Sequence, residues 1–176
     1  MSGLRIVFLA MVLGLPSLAQ QTKPNDVMKD CPMDDQHSAH QALVERHGDQ
    51  AMGFPHDKTT HHFRMMSKGG AIEVSVNDPD DKTDVEAIHS HLKHIAAMFS
   101  SGDFTTSMFI HDGIPSGSTT MKLLKGAIHY NYEETASGGK VRIETKDPIA
   151  LAAIHDFIRF QITEHQTGDN LEVPQN

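Results

Sequence analysis

GGAIEVSVNDP at residues 69–79 and GGKVRIETKDP at residues 138–148 are the same pattern written twice, 69 positions apart. The match continues at a spacing of 66. Ala87-Ile88-His89 answers Ala153-Ile154-His155, Leu92 answers Ile158, and Ser101-Gly102-Asp103 answers Thr167-Gly168-Asp169. A period this long marks a supersecondary unit used twice.

Each copy reads as strand, turn, strand, helix. In the first, residues 60–66 and 71–77 form a hairpin around Ser67-Lys68-Gly69-Gly70. Ile72, Val74 and Val76 alternate with Glu73, Ser75 and Asn77, which gives that strand one apolar and one polar face. Thr83-Asp84-Val85-Glu86 has the spacing of a capping box, and Val85, Ile88, Leu92, Ala96 and Phe99 mark the core stripe of the helix that follows. Gly102 is its expected stop. In the second copy, residues 127–134 and 140–146 are the strands, Asp147 and Pro148 start the helix, and Gly168 ends it. Residues 105–111 read as a further strand between the copies, followed by a short helix over 119–125. The expected fold is α+β, with two ββα repeats forming a four- or five-stranded antiparallel sheet and two helices on one face.

Outside the repeats, residues 1–19 predict a signal peptide. Arg5 precedes the apolar run IVFLAMVLGL at 6–15, Pro16 breaks it, and Ser17-Leu18-Ala19 supplies small residues for cleavage. That run falls short of the roughly 20 apolar residues a membrane span needs. Export to the periplasm or beyond follows. Residues 20–58 form a polar segment containing His and Met, with a short helix expected over 34–47. Unit one covers 60–104 and unit two 127–169, within a domain at 59–170, and 171–176 is a tail. The formal charge of -8 argues against nucleic acid or an anionic membrane as partner. With Cys31 as the one cysteine, no internal disulfide can form.

Thirteen histidines are the chemical signal. His89 and His155 recur in both copies at the edge of each helix stripe. His61 aligns with Tyr130, so His61 and Phe63 should face the helices and His62 the other way; His61 and His89 are expected to meet. His91, His94 and Met98 share an exposed helix flank at i, i+3 and i+7. His111 sits at the end of the central element, before a Gly/Pro loop. Imidazole with thioether suits copper, and imidazoles alone suit zinc. The candidate metal residues are therefore His61, His62, His89, His91, His94, Met98 and His111. A second candidate cluster is Cys31, Met33, His37, His40 and His47, three of whose histidines share one helix face. No CxxCH, GxSxG, P-loop, GxGxxG or HExxH motif is present. Non-covalent haem on His89 or His155 stays open, since axial ligation needs one placed imidazole.

Residues 52–63 (MGFPHDKTTHHF), 69–81, 91–104 and 150–169 together resemble an uncharacterised family of exported bacterial proteins with a GFxHxKTTHHF segment and a duplicated ββα unit. The resemblance spans about residues 45–169 and implies no activity. The expectation is an exported, non-catalytic protein that binds copper or zinc through histidines. Its rivals are a small enzyme or ligand-binding domain with a pocket built on His61, His62, His89 and His111, and an assembly module that pairs as a homodimer through its open sheet.

Overall fold

The computed structural model describes residues 32–175, with side chains from residue 36 onward. The expected signal peptide, Cys31 and the side chain of Met33 lie outside the described residues. Four strands form one antiparallel sheet: β1 (Thr59–Met66), β2 (Gly69–Val76), β3 (Ile128–Thr135) and β4 (Gly138–Thr145). Their spatial order is β1-β2-β4-β3, so the two hairpins meet along β2 and β4. Among the described residues there are five α-helices: α1 (Pro32–Met52), α2 (Lys82–Ser101), α3 (Thr105–His111), α4 (Ser118–Leu123) and α5 (Pro148–Glu164). The fold is α+β.

Strand alternation sets the core. Phe63, Ile72, Val141 and Tyr132 lie in one row across the sheet. The neighbouring row on the opposite face carries His62, Glu73, Lys140 and Glu133, and Lys140 bonds Glu73 at 2.8 Å. Helix α2 packs mainly on β3 and β4, and α5 mainly on β1 and β2, so each helix covers the hairpin it does not follow. Ile88, Leu92, Phe157 and Ile158 are fully enclosed between them.

The β2–β4 seam is unusually close. A Cβ at Gly69 would strike the carbonyl oxygen of Ile143, and one at Gly138 would strike that of Val74. Val76 N–H donates to Ser137 O at 2.8 Å and Thr145 N–H to Lys68 O at 3.1 Å, tying the end of each inner strand to the turn of the other hairpin.

Several sequence expectations are corrected. Residues 105–111 are the helix α3, because the Asp103 carboxylate accepts the Thr105 N–H and hydroxyl just ahead of it and the buried positions Ser107, Ile110 and His111 follow helical spacing. The sheet therefore has four strands. Helix α2 begins ahead of the expected capping box, since the Asp81 carboxylate accepts the Asp84 N–H at 3.1 Å and starts the helix at Lys82. Helix α5 has its expected start, with Asp147 accepting from Ile149 and Ala150. It stops at Glu164, however, ahead of Gly168, and the chain turns out through His165 and the left-handed Gln166 (φ 50°). Helix α1 is longer than the 34–47 expected and runs to Met52, where Gly53 (φ 80°) ends it.

Gly138→Ala should test the seam. Its methyl would displace the β2–β4 ladder, so a loss of about 3 kcal/mol or more is expected by urea denaturation, whereas Gly126→Ala, where a Cβ meets nothing, should be near neutral.

Candidate functional site

The candidate histidines do not form one centre. His89 donates from Nε2 to Thr135 O at 3.2 Å, and His155 donates from Nε2 to Met66 O at 2.9 Å. Each helix histidine thus latches the first strand of the opposite hairpin, and His89 does not meet His61. His94 is exposed. The Met98 sulfur accepts from the Thr106 hydroxyl at 3.4 Å, and His91 turns inward to meet Phe54 edge-on at 5.8 Å. The exposed flank expected for His91, His94 and Met98 is therefore divided. In the N-terminal cluster, His37 is exposed, His40 bonds Glu164 at 2.7 Å, and His47 stacks on Phe109 while donating to its carbonyl at 2.9 Å. These last two fasten α1 to α5 and α3.

What converges is a different set. A cleft of about 270 Å³ opens between α1, the start of β1 and the end of α5. Glu45, His56, Thr60, His62 and Thr167 line it toward the surface. An inner void of about 60 Å³ reaches into the core beside Phe63, Leu92, Ile95 and Phe157. Met52, His61 and His165 line both, so they form the throat between cleft and void. His91 also lines the inner void. The His61 and His165 rings are nearly parallel, at 6° and 6.2 Å between centres, and His165 meets Phe63 at 5.3 Å and His111 at 5.0 Å.

Burial governs the charge of this group. It pushes His61 down to about 4, with further lowering from His56 and His62 against the opposing pull of Asp49. Burial, then His61 and His94, lower His91 to about 4; burial, then His111 and His61, lower His165 to about 3. Burial also lowers His111, although its hydrogen bond to Gln161 and nearby Glu164 work the other way. All four rings are neutral at pH 7. The His61 Nε2 is buried without a partner, a state that costs about 1–3 kcal/mol.

Carboxylates orient the two histidines nearer the surface. His56 donates from Nδ1 to Asp49 at 2.8 Å, and His62 donates from Nδ1 to Asp169 at 3.0 Å. Asp169 accepts also from the Phe63 N–H, the Thr167 hydroxyl and Arg64. Burial opposes ionisation there, but those hydrogen bonds and the Arg64 charge hold its carboxyl below the usual range. Deep in the fold, His111 donates from Nε2 to Gln161 at 3.2 Å, and Gln161 donates to Ser107 at 3.2 Å.

His165 and Met52 were missed from the sequence. At the spacing of 69 in strands and 66 in helices, Tyr130, Phe157 and Phe99 stand where the throat region has His61, His91 and His165. Phe99 meets Tyr130 at 6.1 Å and Phe157 at 5.6 Å. One half holds an aromatic cluster where the other holds three imidazoles. Setting His61 against Tyr130, His91 against Phe157 and His165 against Phe99 is the sequence signal that bears on these three residues.

Among the described residues, no three His, Cys, Asp or Glu side chains are arranged to hold a metal ion, and no helix is long and apolar enough to cross a membrane. Against known protein families, curated proteins and solved structures, the chain finds no match.

Two outcomes are expected. Protonation of His61, His91 and His165 is deferred in the folded state relative to the ordinary value near 6.5, so the unfolded chain binds more protons between about pH 6.5 and 4. Stability is therefore full above that window and falls as pH drops through it, by on the order of 1 kcal/mol or more per ring; urea melts at pH 7 and pH 5 check this. His165→Phe, copying Phe99, should raise stability at pH 7 by about 1 kcal/mol and flatten the pH dependence.

Proposed function

We propose that this is an exported, non-catalytic binding protein that holds its ligand at the throat of the cleft, through His61 and His165 with His91 close behind. One observation carries the reading: three imidazoles occupy positions that an aromatic cluster fills in the other half. Each half leaves a buried polar atom unpartnered, His61 Nε2 in one and the Tyr130 hydroxyl in the other, but only the imidazole half offers several ring nitrogens as ligand atoms. The rings do not suit general acid–base chemistry at neutral pH, because their values near 3 and 4 leave no proton to give and make them weak bases.

The same comparison supports a duplicated ββα unit with both helices on one face of the sheet. Four kinds of paired observation favour it. The strands correspond at 69 positions, from Thr59 against Ile128 to Val76 against Thr145. The seam glycines Gly69 and Gly138 approach Ile143 and Val74, which correspond to each other. The His89 and His155 latches end on Thr135 and Met66, again a corresponding pair. Gly70 and Gly139 abut Ile158 and Leu92, a pair at the helix spacing. His89 and His155 belong to this scaffold, whereas His61, His91 and His165, which have aromatic counterparts, belong to the site. Family membership beside the exported bacterial proteins of similar sequence is proposed on the same ground.

Native mass spectrometry with elemental analysis, on protein taken from its own cellular compartment, tests the reading. A stoichiometric non-covalent adduct is expected in the wild type and not in His165→Phe. A wild-type protein that carries no adduct, or an adduct indifferent to His165→Phe, would overturn it.

A further inference from the structure

We infer that the ligand is a single copper(I) ion, held at the throat by His61, His165 and the thioether of Met52. This rests on the binding reading above and gives its chemistry.

Size comes first. The inner void of about 60 Å³ has room for an ion or a few waters. The cleft outside it, at about 270 Å³, lies below the range of about 300–1,000 Å³ in which organic ligands are usually enclosed. The arrangement suits an ion at the throat better than a molecule filling both spaces.

Donor chemistry comes second. Met52, His61 and His165 are the three residues with potential ligand atoms common to cleft and void. The ring centres of His61 and His165 are 6.2 Å apart with their planes near parallel, so one ion with metal–nitrogen bonds of about 2 Å reaches a nitrogen of each once the rings turn toward it. Two neutral imidazoles and a thioether are soft or borderline donors, and they select copper(I) over hard cations that seek oxygen. This set needs no third His, Cys, Asp or Glu, in keeping with the lack of any such trio among the described residues.

Charge comes third. No carboxylate or thiolate lines the inner void. The cost of desolvating an ion rises with the square of its charge, so a divalent ion there meets about four times the cost of a monovalent one of equal size. Zinc, bound by neutral ligands alone in an apolar space, is disfavoured on that count. Toward the surface the balance is reversed: Glu45 lies 3.7 Å from His56, whose other nitrogen bonds Asp49. This acidic rim attracts cations to a throat that then retains only a singly charged, soft one.

The test is anaerobic titration of the full chain with copper(I) in competition with a chromogenic copper(I) chelator, read beside X-ray absorption of the loaded protein. One equivalent should bind, with nitrogen and sulfur scatterers in the first shell. Cys31→Ser should retain that equivalent, Met52→Leu should weaken it at least about tenfold, and His165→Phe should abolish it. Met52→Leu conserves volume, and His165→Phe copies the counterpart residue Phe99, so both variants are expected to fold; circular dichroism confirms it. Loss of binding in Cys31→Ser would place the ion on the N-terminal thiol and overturn the inference. So would an affinity unchanged in Met52→Leu, a shell without sulfur, or tighter binding of zinc than of copper(I) by the same residues. An organic adduct found on the native protein and lost in His165→Phe would overturn copper(I) while leaving the binding reading standing.

Discussion

The close approach of β2 and β4 is the constraint on which everything else depends. Two glycines, Gly69 and Gly138, let the inner strands come together where any side chain would meet a carbonyl oxygen. The outer hairpin turns are then caught by Val76 and Thr145 from across the seam. With the hairpins fused in the order β1-β2-β4-β3, each long helix reaches over to the opposite hairpin. That crossing explains why a site centred on β1 draws its residues from so many places. His61 comes from β1, His165 from the end of α5, His91 from α2, and Met52 from the end of α1. None of these elements could form the throat alone.

Two kinds of histidine result, and they illustrate different uses of one side chain. His89 and His155 spend a ring nitrogen on a strand carbonyl and behave as long-reach backbone latches. His61, His91 and His165 sit among Phe54, Phe63 and Leu92, and the Nε2 of His61 is buried without a partner. Neutralising them by burial keeps their lone pairs available across the physiological range, which a surface histidine titrating near 6.5 cannot do. The aromatic half is not free of cost either, since the Tyr130 hydroxyl is buried without a partner and burial raises its ionisation range. The difference lies in where the polar atoms stand: one hydroxyl at the sheet, against a set of ring nitrogens around a void.

Much of the scaffold could be read from the chain. The alternation in β2 and the Asp147-Pro148 start of α5 are local signals, and local signals survive folding. The expected strand at 105–111 failed because Thr105, Phe109 and Ile110 favour strands by propensity, while the Asp103–Thr105 turn and the burial of Ile110 and His111 impose a helix. The site was legible only in part. His61, His91 and His111 stand out by their spacing, whereas His165 only continues the buried stripe of α5, three residues after Ile162, and carries no further signal. His165 is the C-cap of α5: its N–H still bonds Gln161 O at 3.0 Å and its backbone stays right-handed, so it keeps the helical place that Phe99 has in α2. Met52 could not be assigned from spacing, because its place depends on how the long α1 lies against the rest of the fold.

The Asp169 carboxylate gives the region after α5 a role beyond closing the chain. It gathers the Phe63 N–H, His62, Arg64 and Thr167 at the free edge of β1. Between that anchor and the last turn of α5 run only His165, Gln166, Thr167 and Gly168, and two of these line the cleft. The segment behaves as a strap of fixed length pinned at both ends. Adding or removing one residue would rotate the imidazole away from the throat even though the strap lies at the surface, where such changes are ordinarily absorbed. Changes of length should therefore be poorly tolerated at 165–168.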